Sequence, residues 1–192
     1  FLLVYSNRSP GLVRVAKFIN GQKVSTAMLP TPGFALGNLQ VARIVSSTSN
    51  TVSYYVIFAS SGDAGSSTSI SHAAYILNSS GDYVTTVTPP HSSRFQLIRD
   101  NSGYSDTYVA GPSLEYIEPA LPTTLFAVTR ICGGLKFNAS TNSLVCDSTR
   151  SGRYVNSGLH NPVTGSLAYF PRHFHVFRQN NRIHIMLDTF SY

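Results

Sequence analysis

Hydrophobic and polar residues alternate with a period of two along most of the chain, which is typical of β-strands with one buried face. The clearest case is VRVAKFI, followed by Asn20-Gly21 and then QKVSTAML. Because Asn-Gly accepts the two positive φ angles of a type I′ turn, this stretch predicts a hairpin from Val13 to Leu29. No stretch of ten or more residues has the period of an amphipathic helix. The chain is therefore predicted to be all-β, with little or no helix.

Further alternating stretches predict the other strands: NLQVARIVSS, VSYYVIFAS, SISHAAYIL, DYVTTVT, RFQLIRD, TTLFAVTRIC, GLKFN, SLVCD, SLAYF, HFHVFRQ and RIHIMLD. Together they indicate about eleven to thirteen antiparallel strands, with prolines and glycines at the corners. A two-sheet sandwich of jelly-roll type is the architecture that best accommodates such a set. No repeat or linker divides the chain, so we expect a single domain over residues 1–192, excised from a longer chain.

Composition narrows the class of protein. Only 11% of residues are charged, against about 25% in a typical domain, so Ser, Thr and Asn must supply much of the solubility. This profile is typical of secreted proteins and virion surfaces. The net charge is +6, but the arginines are scattered and no basic run follows a phosphate backbone, which disfavours nucleic acid as the main partner. No apolar run approaches the roughly 20 residues of a membrane span.

Three long segments, at 60–69, 99–122 and 147–165, are predicted to be loops. Loops on a rigid β-scaffold are common recognition sites. The second segment is rich in tyrosine, which offers a flat ring and a hydroxyl at low entropic cost. Its candidate binding residues are Arg99, Tyr104, Asp106, Tyr108 and Tyr116. The alternative is that these tyrosines are half-buried and hold the loop in place.

Cys132 and Cys146 flank the stretch GGLKFNASTNSLV. A disulfide between them would close a loop of about 15 residues and add on the order of 3 kcal/mol of stability. The alternative is two separate buried thiols, as a reducing compartment would keep them.

Three N-x-Ser/Thr sequons make Asn7, Asn78 and Asn138 candidates for glycosylation. A chain so rich in Asn, Ser and Thr produces about this many sequons by chance, so their number is no evidence of secretion.

The C-terminal stretch HFHVFRQNNRIHIMLD carries three histidines and an aspartate. With a two-residue turn at Asn180-Asn181, His173 lies opposite Asp188, His175 opposite Met186, and Phe177 opposite His184. Zinc uses similar sets in some β-sheet enzymes, which makes His173, His175, His184 and Asp188 a minority hypothesis for a metal site. The alternatives are an ordinary outer sheet face and a subunit interface.

Other catalytic patterns are weak. RICGG, at 130–134, is similar to the nucleophile motif of chymotrypsin-like viral cysteine proteases, but the first histidine, His72, lies in a predicted strand too close along the chain. Asp106, Glu115 and Glu118 could supply paired carboxylates for a glycosidase, yet the chain has no Trp for a sugar platform. We expect no enzymatic activity and no cofactor.

Two stretches carry a resemblance to viral proteins. RFQLIRD, at 94–100, resembles a strand of small viral jelly-roll capsid proteins, and GLKFNASTNSLV is similar to the repeats of viral fibre proteins. The resemblance implies an extracellular, virion-surface domain: a capsid protruding domain or an attachment-protein head. A domain of that kind is expected to form homo-oligomers and to bind a host receptor, glycan or protein, through its long loops.

Two alternatives to this interpretation remain. One is a secreted lectin or adhesin of a cellular organism, and the other is a metal-dependent β-barrel enzyme that uses the histidine hairpin.

Overall fold

The computed structural model describes residues 1–6, 11–46, 51–61, 71–90 and 134–146 with their side chains. It also describes the backbone of strands at 95–98, 107–110, 113–117, 123–132, 152–158, 169–179 and 182–191. All of this described chain is strand, turn or extended backbone, and every paired strand is antiparallel. The prediction of an all-β, antiparallel fold is therefore confirmed. No helix in the described part is long and apolar enough to cross a membrane.

The chain divides into two compact units: residues 1–92, 101–106 and 135–145 form the first, and residues 93–100, 107–134 and 146–192 form the second. A single domain over residues 1–192 stays a prediction.

The first unit contains a three-stranded sheet, a four-stranded sheet and a two-stranded hairpin. The three-stranded sheet is formed by β1 (Leu2–Ser6), β2 (Val13–Ile19) and β3 (Gln22–Met28), in that order. The four-stranded sheet is formed by β4 (Asn38–Val45), β5 (Val52–Ser60), β6 (His72–Asn78) and β7 (Tyr83–Val87), also in chain order.

The predicted hairpin between β2 and β3 is confirmed. Asn20 and Gly21 adopt φ angles of 51° and 78°, the two positive values that a type I′ turn requires. A bulge follows, since the register shifts between Lys17 and Phe18. Such bulges twist the strand locally.

One core cluster joins the two larger sheets of the first unit. Its buried side chains come from β2, from the segment that follows β3, and from β5 and β6: Val13, Val15, Leu29, Leu36, Ile57, Ala59, Tyr75 and Leu77. Leu2 and Val4 of β1 pack against this cluster, and their side chains are partly buried. Period-two alternation thus places one face of each sheet in a shared core.

The other face of the four-stranded sheet is buried as well. Val56, Phe58, Ala74 and Ile76 alternate with the residues of the core cluster, and each is at most 3% exposed. In β5 and β6 both faces are therefore covered, which explains their nearly continuous hydrophobic runs, YYVIFA and AAYIL.

A second hairpin, β12 (Leu135–Asn138) and β13 (Ser143–Cys146), contributes to that cover. Leu135 and Leu144 are buried, and the ring of Phe137 meets that of Tyr54 edge-on at 5.0 Å. The Asn142 side chain donates a hydrogen bond of 3.2 Å to the hydroxyl of Thr85 in β7. Residues 139–142 form the turn of this hairpin, with Asn142 at a positive φ of 49°.

The second unit contains two sheets. In the larger one, β11 (Thr123–Cys132) pairs along one edge with β10 (Ser113–Ile117) and β9 (Thr107–Ala110), and along the other edge with β14 (Gly152–Gly158). Strand β8 (Phe95–Ile98) pairs with β9. The smaller sheet is a long hairpin of β15 (Tyr169–Gln179) and β16 (Arg182–Ser191).

Two segments that we predicted to be loops contain strands. Strands β9 and β10 lie inside 99–122, and β14 lies inside 147–165. Their sequences, TYVA, SLEYI and GRYVNSG, are rich in aromatic and β-branched residues, and pairing with β11 supplies hydrogen-bond partners that short strands lack on their own.

Candidate binding pocket

A pocket of about 280 Å³ opens at one end of the first unit. It is lined by residues from both larger sheets: Phe1, Leu2, Lys17, Phe18, Tyr55, Ser79 and Ser80. Ligand pockets generally range from roughly 300 to 1,000 Å³. This pocket lies just below that range and has room for a single small ring with its substituents. Its lining combines ring faces, hydroxyls and one ammonium group.

The aromatic wall of the pocket is a stacked pair. The rings of Phe1 and Phe18 lie 4.6 Å apart and within 8° of parallel. The backbones of the same two residues exchange hydrogen bonds of 2.9 Å in both directions. Backbone pairing therefore fixes the two rings side by side on the sheet.

The turn between β6 and β7 supplies Ser79 and Ser80 to the pocket lining, and Asn78 holds this turn through hydrogen bonds. The Asn78 Oδ1 accepts hydrogen bonds of 2.9 Å from the backbone N–H groups of Ser80 and Asp82. The Asn78 carbonyl accepts a third, also of 2.9 Å, from the N–H of Gly81. These bonds hold the turn in one conformation and leave Ser79 and Ser80 exposed beside the pocket. Their hydroxyls are thus presented on a preformed frame.

Gly81 lets this turn lie close to Leu2, another residue of the pocket lining. It adopts a φ of +84°, where L side chains are strained, and a Cβ there would lie 2.7 Å from Cδ2 of Leu2. Glycine is therefore favoured by its backbone conformation, and an added Cβ would in addition require the Leu2 side chain to move.

The charge at the pocket is positive. Lys17 is the one lining residue with a formal side-chain charge. Among the residues with described side chains, Asp82 is the sole carboxylate, against five cations: Arg14, Lys17, Lys23, Arg43 and Lys136. A lysine of intermediate exposure that lines a pocket together with aromatic and serine residues suits an anionic ligand that also has an apolar face.

Of the predicted loop-recognition residues, two have a described backbone. Tyr108 lies in β9 and Tyr116 in β10, so both belong to strands, where Tyr108 pairs with Leu97 and Tyr116 with Thr124. Arg99, Tyr104 and Asp106 lie outside the described residues. Their role in binding stays a prediction.

The backbone of the histidine hairpin has the register that the sequence predicted. His173 pairs with Asp188, His175 with Met186, and Phe177 with His184. The side chains of this hairpin lie outside the described ones, so the metal hypothesis for His173, His175, His184 and Asp188 stays a prediction. Among the described residues, no group of three or more His, Cys, Asp or Glu side chains could hold a metal ion.

Cys146 is disulfide-bonded. The side chain of Cys132 lies outside the described ones, so its pairing with Cys146 stays a prediction.

The described sequons differ in how their asparagine side chains are used. Asn78 is half-buried and bound to its own turn, with Nδ2 3.5 Å from Asp82 Oδ2. Asn138 is exposed at the tip of the β12–β13 hairpin, where Oδ1 accepts hydrogen bonds from the N–H groups of Ser140 and Thr141. Asn7 lies outside the described residues.

Sequence reasoning missed every residue of the pocket. Two signals could have pointed to it: aromatic Phe1 and Phe18 in neighbouring strands, and the Asn-Ser-Ser-Gly turn. Neither signal is specific, because the pocket forms only when four segments distant in sequence meet.

No protein-family model matches the chain, and no curated protein or solved structure matches it at a significant level.

Proposed function

We propose that this chain is a non-enzymatic recognition domain of a virion surface, which self-associates and binds an acidic sugar of a host receptor in the Phe1–Phe18 pocket. The observation that carries the proposal is the pocket lining, in which a stacked aromatic pair, Tyr55, two serine hydroxyls and Lys17 converge on one small volume.

Each group matches a part of such a ligand. Aromatic faces pack against the C–H face of a sugar ring, and hydroxyls on a rigid turn exchange hydrogen bonds with sugar hydroxyls. The Lys17 ammonium pairs with a carboxylate or a sulfate. A volume of about 280 Å³ favours one terminal sugar over a long oligosaccharide.

The virion-surface part of the proposal is supported by the sequence. Low charge, abundant Ser, Thr and Asn, and the resemblance of residues 94–100 to a viral jelly-roll strand all favour it. We propose in addition that the sheets belong to a sandwich of jelly-roll type. The core cluster shared by the two larger sheets of the first unit supports that arrangement.

The test is titration calorimetry of the purified chain with three probes: a sialylated trisaccharide, a sulfated disaccharide and a neutral disaccharide. We expect one acidic probe to bind and the neutral one not to bind. The sialylated and sulfated arms identify which anion the pocket accepts.

Lys17→Gln is the decisive variant, and Lys23→Gln is its matched control. Both remove one positive charge from the same sheet, but Lys23 is exposed on β3 and does not line the pocket. We expect Lys17→Gln to weaken binding at least about tenfold and Lys23→Gln to leave it within about twofold. Equal losses in both variants would mean non-specific attraction to a basic protein and would overturn the proposal, as would no binding by either acidic probe.

A further inference from the structure

Strand β3 is exposed along its whole length. All seven of its residues are exposed, including Val24 at 56% and Met28 at 65%. It lies at the end of the three-stranded sheet, and no described strand pairs with its outer edge. Edge strands of soluble proteins are usually protected by prolines, inward charges or a covering segment. Within β3 the single charge, Lys23, and the bulge beside it both lie near the turn, so residues 25–28 keep a regular open edge.

The ends of β3 are nevertheless firmly held. The Asn20-Gly21 turn fixes one end. At the other end, Leu29 is 2% exposed, and the Tyr75 hydroxyl donates a hydrogen bond of 2.8 Å to the carbonyl of Pro30. The exposed strand is thus a rigid feature of the first unit.

The hydrogen bonds of β3 show which backbone groups point outward. The Leu29 N–H donates a bond of 2.9 Å to the Val13 carbonyl. In an antiparallel pair, hydrogen-bonded and non-hydrogen-bonded residue pairs alternate, so Ala27 bonds to β2 while Thr26 and Met28, opposite Ala16 and Arg14, do not. The N–H and C=O groups of Thr26 and Met28 therefore point away from β2, toward the open edge.

We propose that β3 pairs with β3 of a second copy of this chain, antiparallel about a two-fold axis at Thr26. The two Thr26 residues then exchange their outward N–H and C=O groups, and Met28 lies opposite Val24 of the other copy. Lys23 lies opposite the neutral Leu29, so no like charges oppose each other. This inference rests on the self-association in the proposed function and assigns it to a surface.

A second copy fits this edge better than an unrelated peptide does. The sequence of β3 is compatible with its own antiparallel register, and two-fold pairing occupies both exposed edges in one closed contact. Because each copy carries a net charge of +6, long-range repulsion opposes association, and salt screens that repulsion. A contact of one strand pair is small, so we expect a weak, reversible dimer that salt strengthens.

The first measurement is sedimentation equilibrium of the full chain from about 1 to 200 µM, at low and at moderate salt. Thr26→Lys places two like charges opposite each other at the proposed axis but keeps the backbone N–H. Thr86→Lys is the matched control, because Thr86 is an exposed threonine of another edge strand, β7. We expect Thr26→Lys to abolish the dimer and Thr86→Lys to leave it unchanged.

A second measurement tests the register without depending on affinity. Thr26→Cys is expected to form a disulfide between copies under mild oxidation, whereas Thr86→Cys is expected to remain uncrosslinked. A chain that stays monomeric at every concentration, a dimer that persists in Thr26→Lys, or equal crosslinking in the two cysteine variants would each overturn the inference.

Sugar binding is measured separately on the same variants. We expect monomeric Thr26→Lys to bind the acidic probe like the original chain, because Thr26 does not line the pocket. If the original chain, without substitution, stays monomeric but binds sugar, the edge contact alone is overturned. If the original chain forms the dimer but binds no sugar, the recognition function alone is overturned.

Discussion

The four-stranded and the three-stranded sheets of the first unit share one core, yet some of their strands differ strongly in burial. In β5 and β6, runs of four and five consecutive residues are buried, on both faces. In β3, seven consecutive residues are exposed. The four-stranded sheet buries both faces of its central strands. The three-stranded sheet buries one face of β2 in the shared core and leaves β3 as surface.

The largest effect expected from this difference is in the free energy of unfolding. Ile57→Ala removes a fully buried side chain from the shared core cluster and should cost about 2 to 5 kcal/mol. Val24→Ala removes an exposed side chain from β3 and should change stability by no more than about 0.5 kcal/mol. Urea unfolding of both variants at low protein concentration measures the contrast, and similar costs would contradict the expected effect of burial.

The next prediction concerns the link between the two sheets. Burial, with a smaller contribution from the charge of Tyr83, raises the pKa of Tyr75 from 10.0 to about 12. Between these two pH values the folded state keeps the Tyr75 proton, whereas the unfolded state has lost it. The contribution of Tyr75 to the free energy of unfolding is therefore fully present below about pH 10. It falls by on the order of 2 to 3 kcal/mol as the pH rises through about 12.

Tyr75→Phe should lose about 1 to 3 kcal/mol at pH 8, because the Pro30 carbonyl loses its donor. It should also lose the part of the alkaline fall in stability that comes from Tyr75. Tyr83→Phe, a change at a 41% exposed tyrosine of the same unit, should keep most of that fall in stability. Unfolding curves from pH 8 to about 12 test this, and a steep alkaline loss that persists in Tyr75→Phe would refute the role of Tyr75.

Gly81→Ala and Gly21→Ala separate backbone strain from crowding. Both glycines have similar positive φ angles, +84° and +78°, but an added Cβ meets Leu2 at 2.7 Å in the first case and nothing within 4 Å in the second. Each change should cost about 1 to 2 kcal/mol in strain, and Gly81→Ala should cost more because Leu2 must move. It should also weaken sugar binding, whereas Gly21→Ala should not. Equal stability and equal binding in the two variants would show that the turn does not define the pocket.

The smallest effect is expected where the β12–β13 hairpin meets the four-stranded sheet. Asn142→Ala removes an exposed hydrogen bond of 3.2 Å to Thr85, and we expect a loss of about 0.5 kcal/mol or less. Leu135→Ala, at a fully buried position of the same hairpin, should cost several times more. Thermal unfolding of the two variants shows whether apolar burial or the polar contact holds this hairpin.

Local patterns in the sequence predicted local structure well. Asn20-Gly21 specified its turn, and the two-residue turn predicted at Asn180-Asn181 gave the register of β15 with β16. Both pairings depend on residues close in sequence. Strands β9, β10 and β14 were missed because each is short and depends on pairing with β11. The pocket was missed because Lys17, Tyr55 and Ser80 meet only after both sheets have formed.

The hydrogen-bond directions in β3 also imply a particular pattern of amide exchange with deuterated solvent. In an isolated copy, the Ala27 amide, bonded to β2, should exchange slowly, while the amides of Thr26 and Met28 on either side should exchange quickly. The strand would then carry alternating fast and slow labels one residue apart. Once a second copy adds its strand, that alternation disappears, and the labelling pattern of one strand records whether the molecule is alone.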